Sequence, residues 1–152
     1  MRIILGFVLF GFLTLPTAGS RGGEDKGAPP EVPPYHHAPP QGHEADSLKD
    51  LKEFASDPKM SLVYGRANQA RKVLYQLPCF CKCSRYIGHT SLLSCFRGKH
   101  ATTCDICQKE AIYAYEQAKN GQSVDQIRQD IINGRWKEVS METYLASHTS
   151  KK

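Results

Sequence analysis

Residues 103–134 read TCDICQKEAIYAYEQAKNGQSVDQIRQDIING, and this stretch decides the fold class. Ile106, Ala111 with Ile112, and Tyr115 fall on one face at helical spacing. Thr103 is the expected cap of a helix over Cys104 to Lys119, and Asn120-Gly121 its expected left-handed stop. Lys109 and Glu110 are read as part of its solvated face. Ser123 and Gln126, three residues apart, form a capping box. That box opens a further helix through Ile132, with Ile127, Ile131 and Ile132 turned inward and Asn133-Gly134 at the stop. Trp136 is expected to fold back beyond that end.

The same period extends outward. Upstream, Asp46-Ser47 can cap a helix carrying Leu48, Leu51 and Phe54 or Ala55, which Pro58 closes. A second helix is expected from about Met60 to Leu77, with Val63, Ala67, Ala70, Val73-Leu74 and Leu77 on one face and Pro78 as its stop. Ser91 to Phe96 reads as an apolar turn or two. Downstream, a short helix is expected over Met141 to Ala146, followed by a frayed tail at 147–152. There is no alternating strand pattern and no internal repeat, so the expectation is a small all-α, Cys/His-rich helical domain over residues 45–146.

The N-terminal third has a different composition. Met1-Arg2 precedes an apolar run from Ile3 to Leu15, then Pro16 and the small residues Thr17-Ala18-Gly19-Ser20. That is the three-part form of a secretory signal peptide, here 1–19. The run is shorter than the roughly 20 residues a bilayer span needs, so membrane attachment is expected only if the signal stays uncleaved. The expected location is extracytoplasmic, periplasmic or secreted. Residues 20–44 hold Pro29-Pro30, Pro33-Pro34 and Pro39-Pro40 with few apolar groups, and read as an extended linker. His36, His37 and His43 lie in it without cysteine or carboxylate geometry around them, and are read as solvated.

The chain of 152 residues carries a formal net charge of +5. The basic residues are spread out and lack the interleaved aromatics of a nucleic-acid surface, so no nucleic-acid partner is expected. No Ser/His/Asp set or paired carboxylates suggest a hydrolase.

Chemistry is concentrated between Cys79 and Cys107. The order is Cys79, Cys81, Cys83, His89, Cys95, His100, Cys104 and Cys107, which accounts for all six cysteines. Three chemistries fit. Thiolates and imidazoles are ligands for zinc and copper(I), and Cys104 with Cys107 lie one turn apart at a helix start, where free amides favour the thiolate. The Cys79-Cys81-Cys83 run is less convergent, because alternate residues of a flat strand stand about 6.6 Å apart. A turn around Phe80 to Lys82 is required if all three bind one ion. Alternatively, Cys104-x-x-Cys107 suits thiol–disulfide redox chemistry, although no βαβ pattern supports it. The third option is a binding module stapled by disulfides, against which stand the short loops and the unexplained histidines. His89 also fits a mere helix-entry role after Gly88, and Cys95 fits either a ligand or a disulfide partner.

Leu77-Pro78-Cys79-Phe80-Cys81-Lys82-Cys83, Gly88 to Phe96, His100, Cys104-Asp105-Ile106-Cys107 and Gln126-Ile127-Arg128 resemble the bacterial PCYCGC-motif family, also described as CYCXC proteins. The resemblance covers roughly residues 60–137. It supplies a name and no mechanism. Phe80 stands where the family has tyrosine, so no phenol is essential there. Lys82 replaces glycine, which implies that this position does not demand a left-handed backbone. Relatives are often lipoproteins with a cysteine at the cleavage site; Ser20 follows Gly19 here, so no lipid anchor is expected. Selenocysteine in some members implies a reactive chalcogen rather than an inert staple. With that, the expectation is an exported protein binding copper(I) or zinc. Its ligands come from Cys79, Cys81, Cys83, His89, His100, Cys104 and Cys107, with Cys95 as ligand or disulfide partner. The alternatives are redox chemistry at Cys104 and Cys107, or a stapled module; an unidentified protein partner is possible.

Overall fold

A computed structural model describes residues 31–46, 48 and 51–149. The signal peptide expected at 1–19, the first part of the expected linker and residues 150–152 of the tail lie outside them. Among the described residues every regular element is helical and no strand is present. Six α-helices follow one another: α1 (Pro58–Gln69), α2 (Arg71–Leu74), α3 (Cys83–Ile87), α4 (Asp105–Lys119), α5 (Val124–Ile132) and α6 (Met141–Thr149). Short 3₁₀ turns occur at Leu51–Phe54, Leu92–Phe96, His100–Thr102 and Arg135–Glu138.

The axis of the fold is α4. Cys107, Gln108, Glu110, Ala111, Ile112, Tyr113 and Ala114 are all buried, so its middle is enclosed on every side rather than along one stripe. Helix α1 lays Met60, Val63, Tyr64 and Ala67 against it. Tyr64 joins Phe54 and Phe96 in an aromatic cluster, with centroids 4.3 and 5.2 Å away, and its hydroxyl donates to the Gly98 carbonyl at 2.8 Å. Helix α5 adds Ile127 and Ile131, and Trp136 folds back beyond its end as expected.

The caps follow the sequence closely. Ser123 Oγ accepts from the Gln126 N–H while Gln126 Oε1 accepts from the Ser123 N–H, completing the box. Gly121 and Gly134 take φ of +84° and +78° at the helix stops. The cap of α4 falls on Cys104 rather than Thr103, and makes no side-chain bond.

Other boundaries differ. Pro58 opens α1 behind the Asp57 cap, whose carboxylate accepts from the Met60 N–H at 3.0 Å; a proline loses nothing at a position where the N–H would be unpaired. The helix expected upstream is a 3₁₀ turn at Leu51–Phe54, and its expected cap Ser47 lies outside the described residues. The continuous helix expected from Met60 to Leu77 is broken at Ala70, where φ/ψ is −92°/9°. Arg71 follows the break: its guanidinium donates to the Asn68 carbonyl at 2.9 Å and its Nε–H to the Ala45 carbonyl at 3.0 Å. Helix α6 runs three residues beyond the expected Ala146.

Residues 31–44 form no helix, yet they are seated on the domain. The His36 ring stacks on Tyr75 at 3.8 Å and 6°, and the Arg128 guanidinium lies 4.7 Å from the Tyr35 ring centroid. Glu31 pairs with Arg85, and Arg97 donates to the Glu44 carbonyl. The latter part of the proline-rich stretch is therefore a strap rather than a free tether, because its prolines alternate with rings and acids that find partners.

Candidate metal centre

The Pro78 stop delivers the chain from α2 straight into the centre. Cys79 is buried at the start of a tight turn over Phe80 and Cys81. The turn is fixed at two points. The Phe80 N–H donates to Glu110 Oε1 at 2.9 Å. Lys82 adopts φ 66°, ψ 11°, the left-handed region, and from there caps α3, whose first residue is Cys83. The expectation that Lys82 would not be left-handed is thus corrected: the chain must reverse within one residue for Cys83 to face Cys79. For a residue with a Cβ this costs about 1–2 kcal/mol.

The remaining donors arrive on three further pieces. Gly88, at φ 69°, ends α3 and turns His89 inward. The 3₁₀ turn Leu92–Phe96 carries the fully buried Cys95, and is tied to the first segment by the Leu92 N–H on the Leu77 carbonyl at 2.9 Å. His100 opens the next 3₁₀ turn, Cys104 caps α4, and Cys107 lies in its first turn. Buried Gln108 clamps this approach, donating to the Ala101 carbonyl at 2.7 Å and to Thr102 at 3.3 Å.

The donors touch one another. Cys79 Sγ is 3.3 Å from Cys81 Sγ and 3.5 Å from Cys107 Sγ. Cys83 and Cys95 sulfurs are 3.4 Å apart, and Cys95 Sγ is 3.3 Å from His89 Nδ1. His100 Nε2 lies 3.5 Å from Cys81 Sγ. Three groups of four donors have all members within 4.8 Å of each other. They are Cys79, Cys81, Cys83 and Cys95; Cys81, His100, Cys104 and Cys107; and Cys83, His89, Cys95 and His100. A tetrahedral ion with bonds of about 2.3 Å needs donors at that spacing. All six thiols are free, and these separations are far above the roughly 2.05 Å of a disulfide. Every residue singled out from the sequence is in at least one group. His89 reaches a sulfur instead of serving only at a helix entry, and Cys95 sits in two of the three groups.

The electrostatics divide the thiols. Hydrogen bonds from Cys107 and then Cys79 push Cys81 below the ordinary thiol range, while contacts with Cys107 and Cys81 push Cys79 up. Cys83 is also pushed down, chiefly by Cys79. Burial raises Cys104, against the expectation that its helix start would lower it. Burial, followed by the charge of His100, lowers His89 and favours the neutral imidazole that ligates.

Glu110 was read as solvated and is instead wholly buried. Burial raises its carboxyl to about 8, and the Cys79 side chain and Phe80 N–H offset this only in part. Its Oε2 has no hydrogen-bond partner among the described residues. The sequence held a signal for it: Glu110 follows Cys107 by three residues and shares its helix face.

The profile of a family described as proteins of unknown function with a PCYCGC motif matches residues 36–144. No curated protein and no solved structure matches the chain.

Proposed function

This chain belongs to the PCYCGC-motif family, and from that premise we propose that it captures a soft metal ion, copper(I) or zinc, outside the cytoplasm. The observation that carries the reading is the convergence of six thiols and two imidazoles into three overlapping four-donor groups. Sulfur-rich sets select soft ions over magnesium or calcium, which take oxygen. The apolar leader supports export, and the partner is an exported or membrane-associated protein that delivers or accepts the ion.

Redox chemistry at Cys104 and Cys107 has weaker support. Burial raises the Cys104 thiol, the more exposed of the two, away from the thiolate that a nucleophile needs. A stapled module would need sulfur pairs at bonding distance.

Intact mass of the exported protein, measured natively and then denatured without reductant, tests the proposal. Bound copper or zinc with six free thiols is the expected result. A metal-free chain with its cysteines bridged, unable to take up either ion after anaerobic reduction, overturns it.

A further inference from the structure

We infer that the centre holds at least two copper(I) ions joined by shared thiolates; this rests on the soft-metal reading and extends it to stoichiometry. Eight donors converge, and one ion takes about four. The three groups are chained rather than separate. Cys81 belongs to the first and second, Cys83 and Cys95 to the first and third, and His100 to the second and third. No two groups are disjoint, so two independent tetrahedral zinc sites cannot be drawn from them. Two four-coordinate ions can enter only if donors are shared.

Donor chemistry says which ones. A thiolate bound to one metal keeps lone pairs for another, whereas each imidazole nitrogen has a single in-plane lone pair. His100 therefore serves one ion through the nitrogen beside Cys81, and His89 serves another through the nitrogen beside Cys95. The two rings stand at 88° with centroids 5.2 Å apart, each presented to its own sulfur. This leaves His100, Cys104 and Cys107 on one side and Cys83, Cys95 and His89 on the other, with Cys81, which groups with Cys104 and Cys107 and also with Cys83 and Cys95, as the thiolate the two ions share. Cys79 lies against the first set, touching both Cys81 and Cys107. Soft thiolate donors of this kind are ligands that select copper(I).

Each ligating S–H passes its proton to solvent as its sulfur binds the metal, with no change of oxidation state.

The test is anaerobic titration of the reduced full chain with the copper(I)–acetonitrile complex against a chromophoric competitor. Native mass gives the stoichiometry and copper X-ray absorption reports metal–metal scattering. Two or more ions per chain with metal–metal scattering is the expected result. Cys81→Ser should abolish the scattering, and His89→Ala should remove one ion while circular dichroism stays helical. One ion per chain, or two without metal–metal scattering, overturns this inference and leaves the soft-metal reading intact. No bound copper overturns this inference, and failure to bind zinc as well overturns the soft-metal reading with it.

Discussion

Lys82 and Glu110 do the most to shape the centre without being donors to it. Lys82 pays the left-handed penalty that glycine avoids, so Lys82→Gly should raise stability by about 1 kcal/mol in urea unfolding, with metal stoichiometry unchanged. Glu110 holds the Phe80 N–H in place. Glu110→Ala leaves that donor unpaired and should cost about 1–3 kcal/mol and weaken metal uptake. Glu110→Gln keeps an acceptor and should stay close to the parent in both respects; equal losses for the two variants would deny Glu110 this role. The donors were legible because cysteine and histidine have few reasons to crowd together in a helical chain. These two supports were not. A carboxylate in a helix reads as solvated unless its neighbours are known, and a positive φ at lysine is imposed by the need to turn Cys83 toward Cys79.

Helices were legible wherever local chemistry decides them. The Ser123–Gln126 box and the glycines at 121 and 134 act within a few residues, and they mark α5 and the end of α4 as expected. Ser123→Ala should therefore cost about 1 kcal/mol of stability by thermal unfolding while leaving metal uptake unaffected, since α5 supplies no donor. The break at Ala70 has no proline or glycine to announce it. Beside it Arg71 reaches two carbonyls, one of them 26 residues earlier in the chain, a contact no local pattern encodes. Helix α3 is five residues long and was missed because a single turn has no period to detect.

Across the whole molecule, the donors come from five stretches: the turn after α2, the start of α3, the loop with the 3₁₀ turn behind it, the His100 turn, and the start of α4. Each four-donor group spans three of them, and together the groups tie all five. Free metal at a hundredfold its Kd should stabilise the protein by about 2.7 kcal/mol, and hydrogen exchange should slow chiefly over residues 77–107. Slowing confined to α5 and α6 would place the ion elsewhere. The strap at 31–44 was read as a tether because prolines dominate its composition; His36→Ala should release it, seen as faster proteolysis there, because the stack on Tyr75 is lost.

Sulfurs already within 3.3–3.5 Å of one another also make the empty centre perishable. An oxidant reaching the reduced chain first finds its reaction partners side by side, and needs only a small closing movement to lock them together. Two arrivals thus compete for each newly folded chain, and the loser is shut out. Cargo must come promptly, or in the company of the chain itself. A cell that delays it accumulates a spent, cross-linked form whose recovery depends on reducing power supplied from elsewhere.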